Sequence, residues 1–145
     1  MVDKILNKEY VILNGNRFDE NFGYSGDDYD SFIVEYEHLY SGINYVCYEN
    51  GNLASYYNVK NGIKNGEMVS FFPNGQVKEM KHIDKNTLEG IQKEFYENGL
   101  IKLVEYRLLG RLMAFKKFDE QGNILEEKKA PLESDFTNFN KLDER

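Results

Sequence analysis

The segment FFPNGQVKEM, Phe71 to Met80, sets Asn74 and Gly75 between an aromatic pair and a run containing Val77 and Met80. Asn-Gly accepts the positive φ angles of a tight turn, so the stretch predicts a β-hairpin closed by a two-residue type I′ loop. Related stretches occur upstream as CYENGNLASY (Cys47 to Tyr56) and downstream as FYENGLIKLV (Phe95 to Val104). The turn glycines Gly51, Gly75 and Gly99 are 24 residues apart, and so are Gly42, Gly66 and Gly90. Ala114 takes the next step of the second series, and Gly122, in DEQGNIL, arrives one residue early in the first. An aliphatic follows each turn glycine by two positions (Leu53, Val77, Ile101, Ile124), and Tyr48, Phe72 and Tyr96 precede the first three turns. A fixed period of this length is the mark of a repeat architecture.

Two strands per unit follow, and successive side chains alternate between the faces of the sheet. A two-residue loop would set Phe72 opposite Val77 and Phe71 opposite Lys78. Counting outward by two puts Ile43, Tyr45, Cys47, Tyr56, Val69, Phe71, Met80, Ile91, Phe95, Val104 and Tyr106 on one nearly apolar face, the expected core. The opposite face carries a narrow band beside the turns, pairing Tyr48 with Leu53, Phe72 with Val77 and Tyr96 with Ile101. Beyond that band it turns polar at Ser55, Glu79, Glu94 and Glu105. The segments around Gly62 and Asp84–Asn86 read as loops on the edge opposite the Asn-Gly turns. The expected fold is mainly all-β, an extended antiparallel β-meander of repeated hairpins.

The ends are less regular. Residues 1–127 read as a single β-repeat domain. Within it, 1–41 form a degenerate acidic leading unit, 42–113 three regular units and 114–127 a degenerate closing unit. Glu9–Leu13 reads as an edge strand. Tyr24 and Tyr29 fall in the slots of Tyr48 and Leu53, with Ser25 to Asp28 as turn residues between them. Atypical end units protect a repeat array from open-edge association. In the tail, 128–145, Pro131 can start a short helix with Leu132, Phe136 and Phe139 near one face. The tail is expected either to cap the sheet or to be a mobile end.

The net charge of −7 is unevenly spread. Residues 1–50 hold 3 basic and 10 acidic side chains, whereas residues 51–113 hold 9 basic and 7 acidic. Clustered Lys and Arg, which phosphate neutralisation requires, are missing, so nucleic acid is not the expected partner. A positively charged partner is the natural complement of the acidic first third. No stretch approaches the 18 or more apolar residues of a membrane span, and the N-terminus lacks the apolar core of a signal peptide. The single cysteine, Cys47, permits no internal disulfide and fits a reducing compartment, so a cytoplasmic location is expected.

The sequences YENGNL (48–53), FPNGQV (72–77) and YENGLI (96–101), with Gly42, Gly66 and Gly90, resemble the variant form of MORN repeats. The resemblance covers about residues 40–125. It implies an extended β-meander and an interaction role without catalytic residues. Bacterial proteins carrying this variant look like antitoxins or immunity partners of secreted toxins, so the resemblance implies a protein of that type. The standard form of the repeat, rich in Trp and Gly-x-Gly, is not matched.

Residues with chemical capability are sparse. His38 and His82 are far apart in sequence, and Cys47 shares its slot with Phe71 and Phe95, the place of a small core residue. Ser25 to Asp30 clusters carboxylates without the spacing of an EF-hand loop. No enzyme, cofactor or metal is expected. The expected function is neutralisation of a cognate, basic toxin domain, such as a nuclease, by direct binding. Asp27, Asp28, Asp30, Glu35 and Glu37 would supply charge, with Tyr24, Tyr29 and Tyr36 as aromatic anchors. The strip of Tyr48, Phe72 and Tyr96 is a secondary candidate surface. The rival readings are a MORN-like scaffold, a membrane-associated module that uses this strip, and a homo-oligomer joined through sheet edges.

Overall fold

A computed structural model describes residues 5–18, 22–25, 32–35 and 38–129. One helix, α1 (Lys8–Asn14), precedes β1 (Asn16–Arg17), β2 (Phe22–Ser25), β3 (Phe32–Glu35), β4 (His38–Leu39) and β5 (Gly42–Cys47). Then come β6 (Leu53–Lys60), β7 (Ile63–Phe71), β8 (Val77–Asp84), β9 (Thr87–Leu88) and β10 (Gly90–Phe95). The last three are β11 (Ile101–Leu108), β12 (Arg111–Phe118) and β13 (Ile124–Lys128). From β5 to β13, apart from the short β9, which pairs only with β8, the strands lie side by side in chain order, antiparallel, in one ten-stranded sheet with β1 on its first edge. The meander predicted from the 24-residue period is therefore present. β2, β3 and β4 form a separate three-stranded sheet in which Tyr24 stands opposite Ile33. The tail from residue 130 onward, expected as cap or mobile end, lies outside the described residues.

The Asn-Gly turns differ from expectation by one residue, and the difference moves side chains between faces. At the first turn the Gly51 N–H donates to the Tyr48 carbonyl at 2.9 Å, and the Tyr48 N–H donates to the Asn52 carbonyl at 2.8 Å. Gly51 has φ +89°, whereas Asn50 keeps a negative φ, so the loop has three residues with only its last in the left-handed region. The Asn50 Oδ1 accepts the Asn52 N–H at 2.9 Å, and Asn74 and Asn98 repeat this bond with Gln76 and Leu100. Each loop forces one extra residue into the following strand. Phe71 faces Val77 while Ser70 faces Glu79, leaving Lys78 over; Ala54, Lys102 and Leu125 are the equivalent extras.

Leu53 and Val77, expected beside Tyr48 and Phe72 on the second face, therefore join the core face. Two-residue I′ loops do occur, at the other edge: Asn61-Gly62, Lys85-Asn86 and Leu109-Gly110 all have positive φ at both positions. They too are spaced by 24 residues.

The expected edge strand Glu9–Leu13 is helix α1 instead. Asn7 caps it, its side chain accepting the Tyr10 N–H at 2.8 Å. Leu6 before the cap and Val11 in the first turn both pack on the sheet, a hydrophobic staple that outweighs the strand preference of Val-Ile-Leu. Gly15 lets the chain leave the helix against β5, since a Cβ there would meet the Val11 carbonyl oxygen at 2.7 Å and that of Ile43 at 3.0 Å.

Under α1 lies the main core: Val11, Leu53, Tyr56, Val69, Phe71 and Met80, with Ile43, Tyr45, Cys47, Val77 and Phe95 around it. The Tyr56 hydroxyl, fully buried, accepts the Leu6 N–H at 2.9 Å and ties the helix segment to the sheet. On the opposite face Tyr40, Tyr57 and Val59 pack with Phe18 and Met68. Both faces are thus packed over β6 and β7. The expected core residues of the third unit are less buried: Val104 and Tyr106 are half-exposed and Ile91 is 41% exposed.

Burial pushes the Tyr56 phenol above its ordinary pKa of 10.0, with Glu67 adding to the rise and the Leu6 hydrogen bond opposing it. A raised pKa means that the fold prefers the neutral phenol. Its contribution is complete below pH 10.0 and is lost as pH rises through the folded value. Equilibrium denaturation between pH 9 and 11.5 should show an alkaline loss of stability that is smaller in Tyr56→Phe. Met80→Ala should cost about 2–5 kcal/mol in urea denaturation, whereas Ile124→Ala, at a half-exposed edge position, should cost less than about 1 kcal/mol.

Candidate functional site

Hydrogen bonds link neighbouring hairpins at both edges of the sheet, and their one interruption creates a cleft. At the edge of the I′ turns the linkage is regular. Gly62, Asn86 and Gly110 donate their N–H groups to the carbonyls of Tyr40, Lys64 and Leu88, at 2.7, 2.9 and 2.9 Å. Asn61, Lys85 and Leu109 donate theirs to the side chains of Ser41, Asn65 and Glu89. At the Asn-Gly edge, the aromatic strip supplies the links. The Tyr48 hydroxyl donates to the Phe71 carbonyl at 2.6 Å, and the Tyr96 hydroxyl to that of Phe118 at 2.8 Å. The amides of Asn50 and Asn98 donate to the Pro73 and Glu120 carbonyls, both at 2.9 Å. Two members of the strip are therefore structural struts.

The middle member is different. Phe72 has no hydroxyl, and among the described residues no bond of either kind crosses from the second hairpin to the third at that edge. Strand pairing in this seam is also short, but toward the opposite edge. β8 pairs with β9 at one end and with β10 only at Met80↔Lys93 and Glu79↔Glu94. In the gap, the buried Gln92 side chain stands in for a peptide group. It accepts the His82 N–H at 2.8 Å and donates to the His82 and Glu89 carbonyls at 3.2 and 3.0 Å.

The seam opens toward the turns into a cleft of about 640 Å³. Phe72, Phe95 and Tyr96 supply aromatic wall, and Glu79, Glu94, Glu97 and Glu120 supply carboxylates, with Lys78 and Lys102 also lining it. Glu79 and Glu94 stand directly opposite each other across the two strands, an arrangement that costs stability because like charges are held close. The Lys81 ammonium lies 3.8 Å from Glu79 and offsets part of this cost. At the equivalent places in the outer seams stand Ser55 with Ser70 and Leu103 with Lys117. The Lys102 ammonium sits 5.6 Å from the centre of the Tyr96 ring, so this wall already accepts a cation on one face. Carboxylates and ring faces in an open cleft are suited to binding a guanidinium or ammonium group.

The acidic residues singled out in the sequence cannot be placed against this cleft. Asp27, Asp28, Tyr29, Asp30, Tyr36 and Glu37 lie outside the described residues, and Tyr24 and Glu35 are defined by their strands, β2 and β3, alone. Of the residues weighed for catalysis, Cys47 packs beside the main core opposite Leu53, and His82 lies opposite Glu67 in β8. The glutamates of the cleft were not singled out as a site. Their one sequence signal is Phe72, which breaks a tyrosine series of period 24.

Among the described residues no helix is long and apolar enough to cross a membrane. A model of the MORN repeat variant family matches residues 64–85 and 88–107, the hairpins on either side of the middle seam. No curated protein and no solved structure matches the chain. Phe72→Tyr should restore the missing strut to the Phe95 carbonyl and raise stability by about 0.5–1.5 kcal/mol, and Tyr96→Phe should lower it by a similar amount. Thermal and urea denaturation of the two variants would check both signs.

Proposed function

We propose that this array of MORN-variant repeats is a protein-binding module that neutralises a basic toxin domain by covering its charged surface. The repeat type supports the binding role. The carrying observation is the cleft at the middle seam, where Glu79 faces Glu94 between aromatic walls and the regular interhairpin links are missing. A fold that retains a like-charge pair at its own cost gains when a partner's Arg or Lys neutralises it. Phe72 and Tyr96 add stacking surface for a guanidinium. The acidic segment 27–37 supplies the longer-range attraction that speeds encounter and makes it sensitive to salt.

The test is co-expression of the chain with the toxin-like product of a neighbouring reading frame, followed by calorimetry on the purified pair. Growth rescue and a stoichiometric complex are expected. Glu79→Lys with Glu94→Lys should weaken the complex at least about tenfold, equivalent to about 1.4 kcal/mol. Charge reversal at Asp27, Asp28 and Asp30 should slow association and flatten its salt dependence. Failure to rescue growth together with failure to form a complex overturns the reading. Unchanged affinity in the Glu79/Glu94 variant removes the cleft from it.

A further inference from the structure

Two lysines reach the cleft of the middle seam by the same route. Each three-residue loop leaves one surplus residue in the strand that follows, and a bulge of this kind re-aims the side chain it carries. On the hairpins that flank the seam the surplus residues are Lys78 and Lys102, and both line the cleft. On the outer hairpins the same places hold Ala54 and Leu125. The cations thus enter where carboxylates gather, with Glu79 and Glu94 half-buried and Glu97 and Glu120 exposed.

Lys102 goes one step further. Its ammonium lies 5.6 Å from the centre of the Tyr96 ring. The ring is fixed, because its hydroxyl donates to the Phe118 carbonyl at 2.8 Å and Asn98, two residues on, donates to the Glu120 carbonyl at 2.9 Å. Lys102 is exposed, on a flexible aliphatic stem. A fixed ring under a movable cation is a contact that another cation can take over at small cost, since exposed pairs of this kind are weak.

We propose that Lys102 is an internal placeholder for the partner's cation, and that the group which displaces it is an arginine guanidinium. An incoming ammonium would only replace one like itself on the Tyr96 ring. A guanidinium gains more. Its plane stacks on the ring, and its forked N–H donors can serve the facing carboxylates of Glu79 and Glu94 together. The placeholder lowers the affinity for either cation by one common factor, the fraction of time that it leaves the ring free. Only the group with the larger gain then binds strongly.

The experiment is an NMR titration of the full chain with blocked Gly-Arg-Gly and Gly-Lys-Gly peptides at low salt. In the free protein the ε-methylene protons of Lys102, assigned by their loss in Lys102→Met, should be shifted upfield by the Tyr96 ring. The arginine peptide should return them to the ordinary lysine position and bind at least about threefold tighter than the lysine peptide. Lys102→Met should tighten both peptides about two- to fivefold. Lys78→Met removes the same charge from the cleft but leaves Lys102 on its ring, so it should have a smaller effect. No peptide binding, equal affinity for the two peptides, Lys102 protons unmoved on binding, or equal effects of the two lysine variants each overturn the proposal. The placeholder rests on the cation-binding cleft of the proposed function, yet the two fail separately. Displacement of Lys102 by the arginine peptide without any toxin complex removes neutralisation alone. A toxin complex that leaves the Lys102 protons upfield removes the placeholder alone.

Discussion

The left-handed glycine at the end of each three-residue loop is the constraint on which this structure depends. Because Gly51, Gly75, Gly99 and Gly122 alone take that conformation in their loops, every returning strand starts with one surplus residue. The surplus decides which way the aliphatic two places after the glycine points. Leu53 and Val77 reach the core because of it, and a two-residue loop would have turned both away from the helix that covers them. Side-chain period in a strand is two, so a shift of one residue is the largest error of face a turn can make.

Spacing alone made most of the architecture legible. The 24-residue recurrence marked the hairpins, their order and the edge at which each turn lies. The same Asn-Gly dipeptide, however, serves two loop geometries in this chain. Asn61-Gly62 takes the type I′ form, whereas Asn50-Gly51 does not, because Tyr48 and Asn52 close a wider loop there. Local sequence does not separate the cases; the residues opposite each other in the finished sheet do. α1 departs from the strand expectation for a related reason: Val-Ile-Leu favours a strand, but the Asn7 cap and the packing of Leu6 and Val11 in the core favour the helix.

The cleft was harder to see. Glu79 and Glu94 are fifteen positions apart and become neighbours only through the register of β8 and β10. Phe72 for tyrosine looks conservative, since ring and hydrophobicity are retained. Its effect is visible only where the hydroxyls of Tyr48 and Tyr96 are found holding adjacent hairpins together. The seam that lacks this hydroxyl, and the Asn amide link beside it, is open at the turns, and Gln92 ties its other end by bridging to His82.

The surplus residues at Ala54, Lys78, Lys102 and Leu125 also bear on how the molecule behaves in a crowd of its own copies. Each adds right-handed twist at the same level of the sheet, so the increments accumulate from hairpin to hairpin. A ribbon that gains twist at every hairpin offers a less straight border on which a neighbour's backbone can align over its full length. Fibrillar stacking, the hazard of any long run of antiparallel strands, meets a geometric obstacle written into every turn.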